Sequence, residues 1–452
     1  MNKRTILGIA GILAIALILL IAISSIKARN AQTETPNAPY TGPGGNLSNV
    51  KIAVLYEKVT DREPKGRSLE ETVSVLEQTR ADMIFRGFWI WNAPMPVSSD
   101  NIPPELVALA TERFNIKPEQ VPEEIRKRGF SYQELETSIA AIKKEMPGVI
   151  FVGAIPAQTV GRIDMDPITG KVLSTEDTWS MALDPQKWGI DFQYQGRAMT
   201  KEYLQEIKAS NNQETFKNGY DYTKANGYYP DITNKDFQEL FLSWAKKQID
   251  SGADAIWIDL LYTQVQLFYS MTNGTNDPAV KEAYAAASQL VDEIHAYGAS
   301  KGRYIYVGTW SEPAAHYPGA APKLDFVTNT PLPEEITGGL DEERWNKLGS
   351  GAKNKFGNIP HFAFIDWGGK PNAPIDVFSQ QLSKEQQKEW LIKADAFFQG
   401  KGIIFIYPVH GADFWGRPEV LAFGTLTKYD ALAPEFDTFG TIKELAQAKA
   451  GN

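Results

Sequence analysis

From Lys51 onward, short apolar runs alternate with amphipathic helical patterns. Eight runs predict strands: Lys51–Tyr56, Met83–Ile90, Val149–Ile155, Ala255–Leu260, Tyr304–Thr309, Leu324–Thr328, Phe362–Asp366 and Ile403–Tyr407. Most are continuously apolar, the pattern of parallel strands covered on both faces. Helix starts are marked between them. Ser68 precedes Glu71, Ser131 precedes Glu134 and Ser383 precedes Gln386, each spaced as a capping box that satisfies orphaned amides. After Thr233, the residues Phe237, Leu240, Phe241, Trp244 and Ile249 share one helical face, and Gly252 follows. Asp277 and Pro278 open a long helix that runs through Leu290, Val291 and Ile294.

Strands alternating with helices predict an α/β fold. The expected architecture is a (β/α)8 TIM barrel, about 250 residues in its plain form. Insertions enlarge it after strand two (Asn92–Ser131) and strand three (Ala157–Thr233), the latter with a hairpin at Asp166–Gly170. The proline-bearing link from strand five to strand six shows no convincing helix. A distorted barrel and an open doubly wound sheet therefore stand as alternatives.

The N-terminus has a different pattern. Thr5 to Ile26 is an apolar run between Lys3, Arg4 and Lys27, Arg29. About 20 apolar residues suffice to cross a membrane as a helix. A cleavable signal has a shorter core of about 7–15 residues and a small-residue cleavage site. One uncleaved transmembrane helix is expected, with a cleaved signal and secretion as the alternative. The charge before the run predicts a cytoplasmic N-terminus and a large extracytoplasmic domain. Residues 1–29 are thus an anchor or signal segment, 30–49 a Pro/Gly-rich linker, and 50–452 the folded body. Two sequons, at Asn46 and Asn273, are candidate glycosylation sites outside the cell.

Composition narrows the chemistry. The 452 residues carry a formal charge of −9, which argues against nucleic acid as a partner. Cysteine is absent, and the four histidines, His295, His316, His361 and His410, form no HExxH motif. Neither a metal nor a cofactor is expected. The Gly338-Gly339 and Gly368-Gly369 pairs are turns, since no phosphate-loop spacing accompanies them.

In a barrel, chemistry gathers where strands run into the following loops. Glu57 follows strand one; Trp89 and Trp91 end strand two; Asp259 ends strand four. Trp310 and Glu312 follow strand five, Asn329 follows strand six, and Asp366 and Trp367 end strand seven. Tyr407, His410, Asp413 and Trp415 follow strand eight. Carboxylates and indoles at one rim suit glycosidic chemistry. One carboxyl protonates the leaving oxygen while another attacks the anomeric carbon or activates water. Indole faces stack on sugar rings.

The stretch Gly252-Ala-Asp-Ala-Ile-Trp-Ile-Asp259 resembles the strand-four signature of many barrel glycoside hydrolases, in several clans of which the final Asp is the nucleophile. The order Asp259, Glu312, Asp366 is similar to the positional plan of the α-amylase clan. The resemblance implies nucleophile, acid/base and transition-state stabiliser in that order. Trp257 stands where that clan carries an arginine, and no His-Asp pair ends strand seven.

Simpler readings compete at each position. Asp259 and Asp366 can be structural carboxylates, Glu312 a solvated loop residue, and His410 a hydrogen-bonded loop histidine. Trp89 and Trp91 share one strand face that can be core. Glu57 and Arg86 can form a buried ion pair that orders the barrel. The favoured expectation is a membrane-tethered extracellular glycoside hydrolase acting on polysaccharide or glycoconjugate. Asp259, Glu312 and Asp366 would be catalytic, and Glu57, Trp89, Trp91, Trp310, Trp367, Tyr407, His410, Asp413 and Trp415 would bind substrate. The alternative is a non-catalytic carbohydrate-binding or cell-surface structural protein of the same fold.

Overall fold

The computed structural model describes residues 46–62, 67–89, 96–212, 214–272, 274–366, 373–413 and 428–450. The expected anchor, Trp91, Trp367, Trp415 and the sequon residue Asn273 lie outside them. Among the described residues, no helix is long and apolar enough to cross a membrane.

Eight parallel strands close on themselves: β1 (Ala53–Tyr56), β2 (Met83–Phe88), β3 (Ile150–Pro156), β4 (Ala255–Asp259), β5 (Tyr306–Trp310), β6 (Phe326–Asn329), β7 (His361–Phe364) and β8 (Ile404–Asp413). They pair in chain order, and β8 pairs with β1 to shut the barrel. This excludes the open doubly wound sheet. A short antiparallel strand, β9 (Lys428–Asp430), extends β8 beyond the barrel.

Helices α1 (Leu69–Thr79), α2 (Tyr132–Glu145), α3 (Lys235–Asp250) and α4 (Pro278–Ser300) follow the first four strands. Helices α5 (Glu342–Phe356), α6 (Lys384–Gly400) and α7 (Phe439–Ala450) follow β6, β7 and β8. Between β5 and β6 only a single 3-10 turn, Ala314–His316, interrupts the irregular chain. Ser68 and Ser383 form their capping boxes. Ser131 caps α2, but the Glu134 carboxyl accepts from Ser99 Oγ instead of closing the box. The insertion after β3 contains the expected hairpin, with Asp164–Met165 paired to Val172–Leu173.

The pleat sorts side chains into two layers. Ile256 and Ile258 face the helices, whereas Ala255 and Trp257 face the barrel interior. Inside, large rings sit beside small residues, as close packing requires. A Cβ on Gly308 would lie 2.3 Å from the Phe326 ring, so only glycine leaves that ring its place. Trp257 is fully buried and donates from its indole nitrogen to Thr328 Oγ1 at 3.0 Å.

The base of the barrel is closed by residues expected to belong to the linker. A 3-10 turn, Leu47–Asn49, buries Leu47 and Val50 in the interior cluster. The folded body thus begins at least as early as Asn46. Truncating a buried leucine removes its transfer energy and leaves a cavity. Leu47→Ala should therefore lower unfolding free energy by about 2–3 kcal/mol, at the low end because the site is peripheral. Urea denaturation measures this, and an unchanged midpoint would mean that the turn does not close the barrel.

Candidate active site at the barrel mouth

The mouth is organised around a cation from an apolar strand. Arg86 lies in β2 between Phe85 and Gly87, and 3% of its side chain is exposed. Its φ is +54°, a left-handed conformation that is uncommon for any residue with a side chain. The β2–β3 register shifts between Ile84 and Phe88, so the strand bulges here. Bulges re-aim side chains beside active sites. A Cβ on Gly87 would lie 2.4 Å from the Phe151 ring, so glycine is required beside the bulge.

Among the described residues, the guanidinium meets the carboxylates of Glu57 and Asp366 and the rings of Trp89, Trp257 and Phe364. Arg86 Nη1 donates to Asp366 Oδ1 at 3.0 Å, and Nη2 lies 3.5 Å from Glu57 Oε2. Its central carbon sits 4.5 Å from the Trp89 ring centroid, 5.3 Å from Trp257 and 6.0 Å from Phe364. Ring faces attract a cation, more strongly when both are desolvated. The expected Glu57–Arg86 pair is present, and Asp366 joins it from the far end of β7.

Asp259 completes the group. It ends β4 one layer above Trp257, is 8% exposed, and accepts a hydrogen bond from the Trp310 indole at 2.6 Å. Leu260 follows with φ +53°, turning the chain away. Burial pushes the Asp259 carboxyl up to about 7, and the charges of Asp366 and Glu57 act in the same direction. Arg86 and the Trp310 hydrogen bond oppose the shift without cancelling it. Trp310 stacks on Phe364 at 5.2 Å and meets Trp257 edge-on at 5.4 Å. Asp259, Asp366, Glu57, Trp89 and Trp310 are therefore gathered at one mouth.

The remaining expected site residues make other contacts. Glu312 pairs with His316 at 2.8 Å and keeps 36% of its side chain exposed. Burial works to raise its pKa, but the hydrogen bond and charge of His316 outweigh it, and the carboxyl ends below its usual value. An acid catalyst needs the opposite shift. Tyr407 faces the helix layer, not the mouth, and its hydroxyl donates to Asp395 of α6 at 2.8 Å.

His410 also lies behind the wall. The β1–β8 register slips between Leu55 and Tyr56, which sets His410 opposite Tyr56. Its ring stacks 4.8 Å from Tyr56, is 3% exposed, and bonds through Nδ1 to Asp430 at 2.7 Å. Asp61 lies 3.7 Å from the other ring nitrogen, and Arg67 pairs with Asp430 at 2.9 Å. Burial opposes protonation of His410, but the two aspartates prevail and raise its pKa. This cluster ties β9 to the barrel and was not foreseen from sequence. Asp413 ends β8.

No family model matches the chain, and no curated protein does. Among solved structures, it is similar to an α-amylase from H. orenii, with 12% identity, 89% of this chain and 82% of that one covered, and a TM-score of 0.45. It is similar also to the glycoside hydrolase domain of PelA from Pseudomonas aeruginosa, with 9% identity, 80% and 95% coverage and a TM-score of 0.37. A debranching enzyme of Nostoc punctiforme gives 11%, 90%, 81% and 0.42. At these values the likeness bears on neither reaction nor substrate.

The Asp259 shift has a consequence for stability. In the unfolded chain the carboxyl titrates near 3.8, and in the folded chain near 7. Between those values only the folded state holds the proton. Stability from this group is therefore complete below about pH 4 and falls as pH rises through the window, by at most about 1.4 kcal/mol per unit. Asp259→Asn should flatten that slope. Denaturation of both proteins at about pH 5 and about pH 7 measures it, and equal slopes would refute the buried protonated carboxyl.

Proposed function

We propose that the chain is a glycoside hydrolase that cleaves O-glycosyl bonds of a polysaccharide or glycoconjugate at the barrel mouth, with Asp259 and Asp366 as its paired carboxyls. One observation carries this reading. Carboxyls after β1 and β7 meet on one guanidinium, and a third, at the end of β4, is held by Trp310 beside the same ring wall of Trp89, Trp257 and Trp310. Glycosidic cleavage needs one carboxyl that carries a proton and one that is ionised.

The environment distinguishes the two. Asp259 is buried, and its carboxyl is held in the neutral range, which suits the acid that protonates the leaving oxygen. Asp366 is ion-paired to Arg86, which favours its anionic form. That form suits a nucleophile or the base that activates water. This allocation moves Asp259 from the nucleophile of the strand-four resemblance to the acid. Glu312, paired to His316 and kept ionised, is left with at most a supporting part. The exposed edge of Trp310 and the rings around it offer faces for a sugar.

Membrane tethering through Thr5–Ile26 belongs to the same proposal. It would place the mouth outside the cytoplasm, where polysaccharide is available.

A second reading has an observation of its own. Arg86 occupies Glu57 and Asp366, as in a barrel that binds glycan without cleaving it. The two separate by experiment. A panel of plant, bacterial and host polysaccharides is scored for release of reducing ends, for binding and for melting. Asp259→Asn and Asp366→Asn should each lower turnover by about 10²–10⁴-fold. Asp259→Asn should leave the melting temperature within a few degrees, whereas Asp366→Asn, which takes a counter-ion from buried Arg86, should lower it. Glu312→Gln should stay within a few-fold of wild type. Wild type that binds a glycan and cleaves none would establish the binding protein instead.

A further inference from the structure

We infer that Arg86 is the positioning residue of the mouth: it holds the Glu57 and Asp366 carboxylates on its two ends, and Asp259 stands in the field of that assembly. The inference rests on reading the mouth as a hydrolytic site, but its test needs no substrate.

The geometry supports a positioning role rather than general scaffolding. A structural ion pair inside a strand would need no bulge. Here the backbone adopts a left-handed conformation at Arg86, and the residue after it must be glycine. Such strain persists where surrounding structure over-determines it, and it clusters at functional sites. The bulge aims a fork with two ends, and the ends reach carboxylates on different strands, Glu57 after β1 and Asp366 after β7. A planar guanidinium presents its donors in such a fixed fork, which the point charge of an ammonium lacks.

Asp259 stands apart from that fork. Its hydrogen bond comes from the Trp310 indole, a neutral donor. Among the described residues, Asp366 and Glu57 repel its ionised form, and Arg86 and Trp310 favour it. With Asp259 protonated, the cluster of three carboxyls and one guanidinium carries a net charge of −1. Without the guanidinium it would carry three adjacent acids, and at most one or two could ionise at neutral pH. Arg86 thus acts on Asp259 in two ways: its charge favours the ionised form directly, and it holds beside Asp259 the two carboxylates that oppose it. The rings of Trp89, Trp257 and Phe364 keep water from screening those interactions.

The test is a carboxyl titration of the full chain in detergent, with aspartate labelled by carbon-13 at Cγ. The Asp259 signal is assigned by its loss in Asp259→Asn. In wild type it should titrate near pH 7, the value set by burial and its neighbours. Arg86→Met removes the charge while keeping most of the stem, and the Asp259 midpoint should rise by about one pH unit or more. Arg86→Lys restores the charge without the fork and should bring the midpoint back toward wild type. Glu57→Gln removes one repelling anion and should lower the midpoint, and it keeps the test open if Arg86→Met does not fold. A merely structural Arg86 would lower the melting temperature in both Arg86 variants and leave the Asp259 midpoint unmoved. That result, or a midpoint unchanged in Glu57→Gln, would overturn the inference. A moved midpoint in a protein that cleaves no glycan would uphold it and reject the hydrolytic reading separately.

Discussion

A guanidinium inside a closed barrel has to be neutralised where it stands. Removing such a charge from water costs several kcal/mol unless partners replace the solvent. Arg86 meets that requirement with two carboxylates and a floor of aromatic rings. The rest of the mouth follows from it. Glu57 and Asp366 are drawn in from strands that do not touch one another, and β2 bulges to deliver the side chain. A third carboxyl, Asp259, is left in their field with a single neutral donor. In the proposed reaction, acid and base would be distinguished by their surroundings, since both are aspartates.

Much of this was legible before the structure. Eight apolar runs marked eight strands because a parallel strand buried on both faces has few polar positions. Alternation along Ala255-Ile-Trp-Ile-Asp259 puts Ala255, Trp257 and Asp259 on one face, and the structure turns Ala255 and Trp257 of that face into the barrel. The arginine amid Phe85 and Phe88 pointed to an ion pair with Glu57. Its link to Asp366 was hidden, because a left-handed residue breaks the alternation on which such reasoning depends. His410 was placed at the rim because it follows the apolar run, but the register slips at the end of β1 and sets it against Tyr56. Tyr407 was misread for a simpler reason: it ends the apolar run, but β8 continues to Asp413, and Tyr407 is still part of the wall.

The neighbouring cluster behind the wall solves a related problem by other means. His410 is buried between Asp61 and Asp430, with Arg67 completing the balance. Here the acids Asp61 and Asp430 are matched by the bases His410 and Arg67. Among the described residues of the mouth, the acids outnumber the base. The contrast separates a clamp from a site: a clamp is satisfied alone, and a site retains an unmet demand that a ligand or a proton fills.

The turn at Leu47 has a mechanical meaning. It wedges into the base of the barrel and leads directly into β1, whose opposite end carries Glu57. A force applied through the preceding chain enters at the base, along the axis of β1. That strand is hydrogen-bonded on both sides, to β2 and to β8, over parallel registers. The load is therefore shared in shear across two ladders at once, rather than peeled from one bond at a time. Because the pull enters at the face opposite the carboxyls, strain reaches Glu57 only after both ladders have begun to slide.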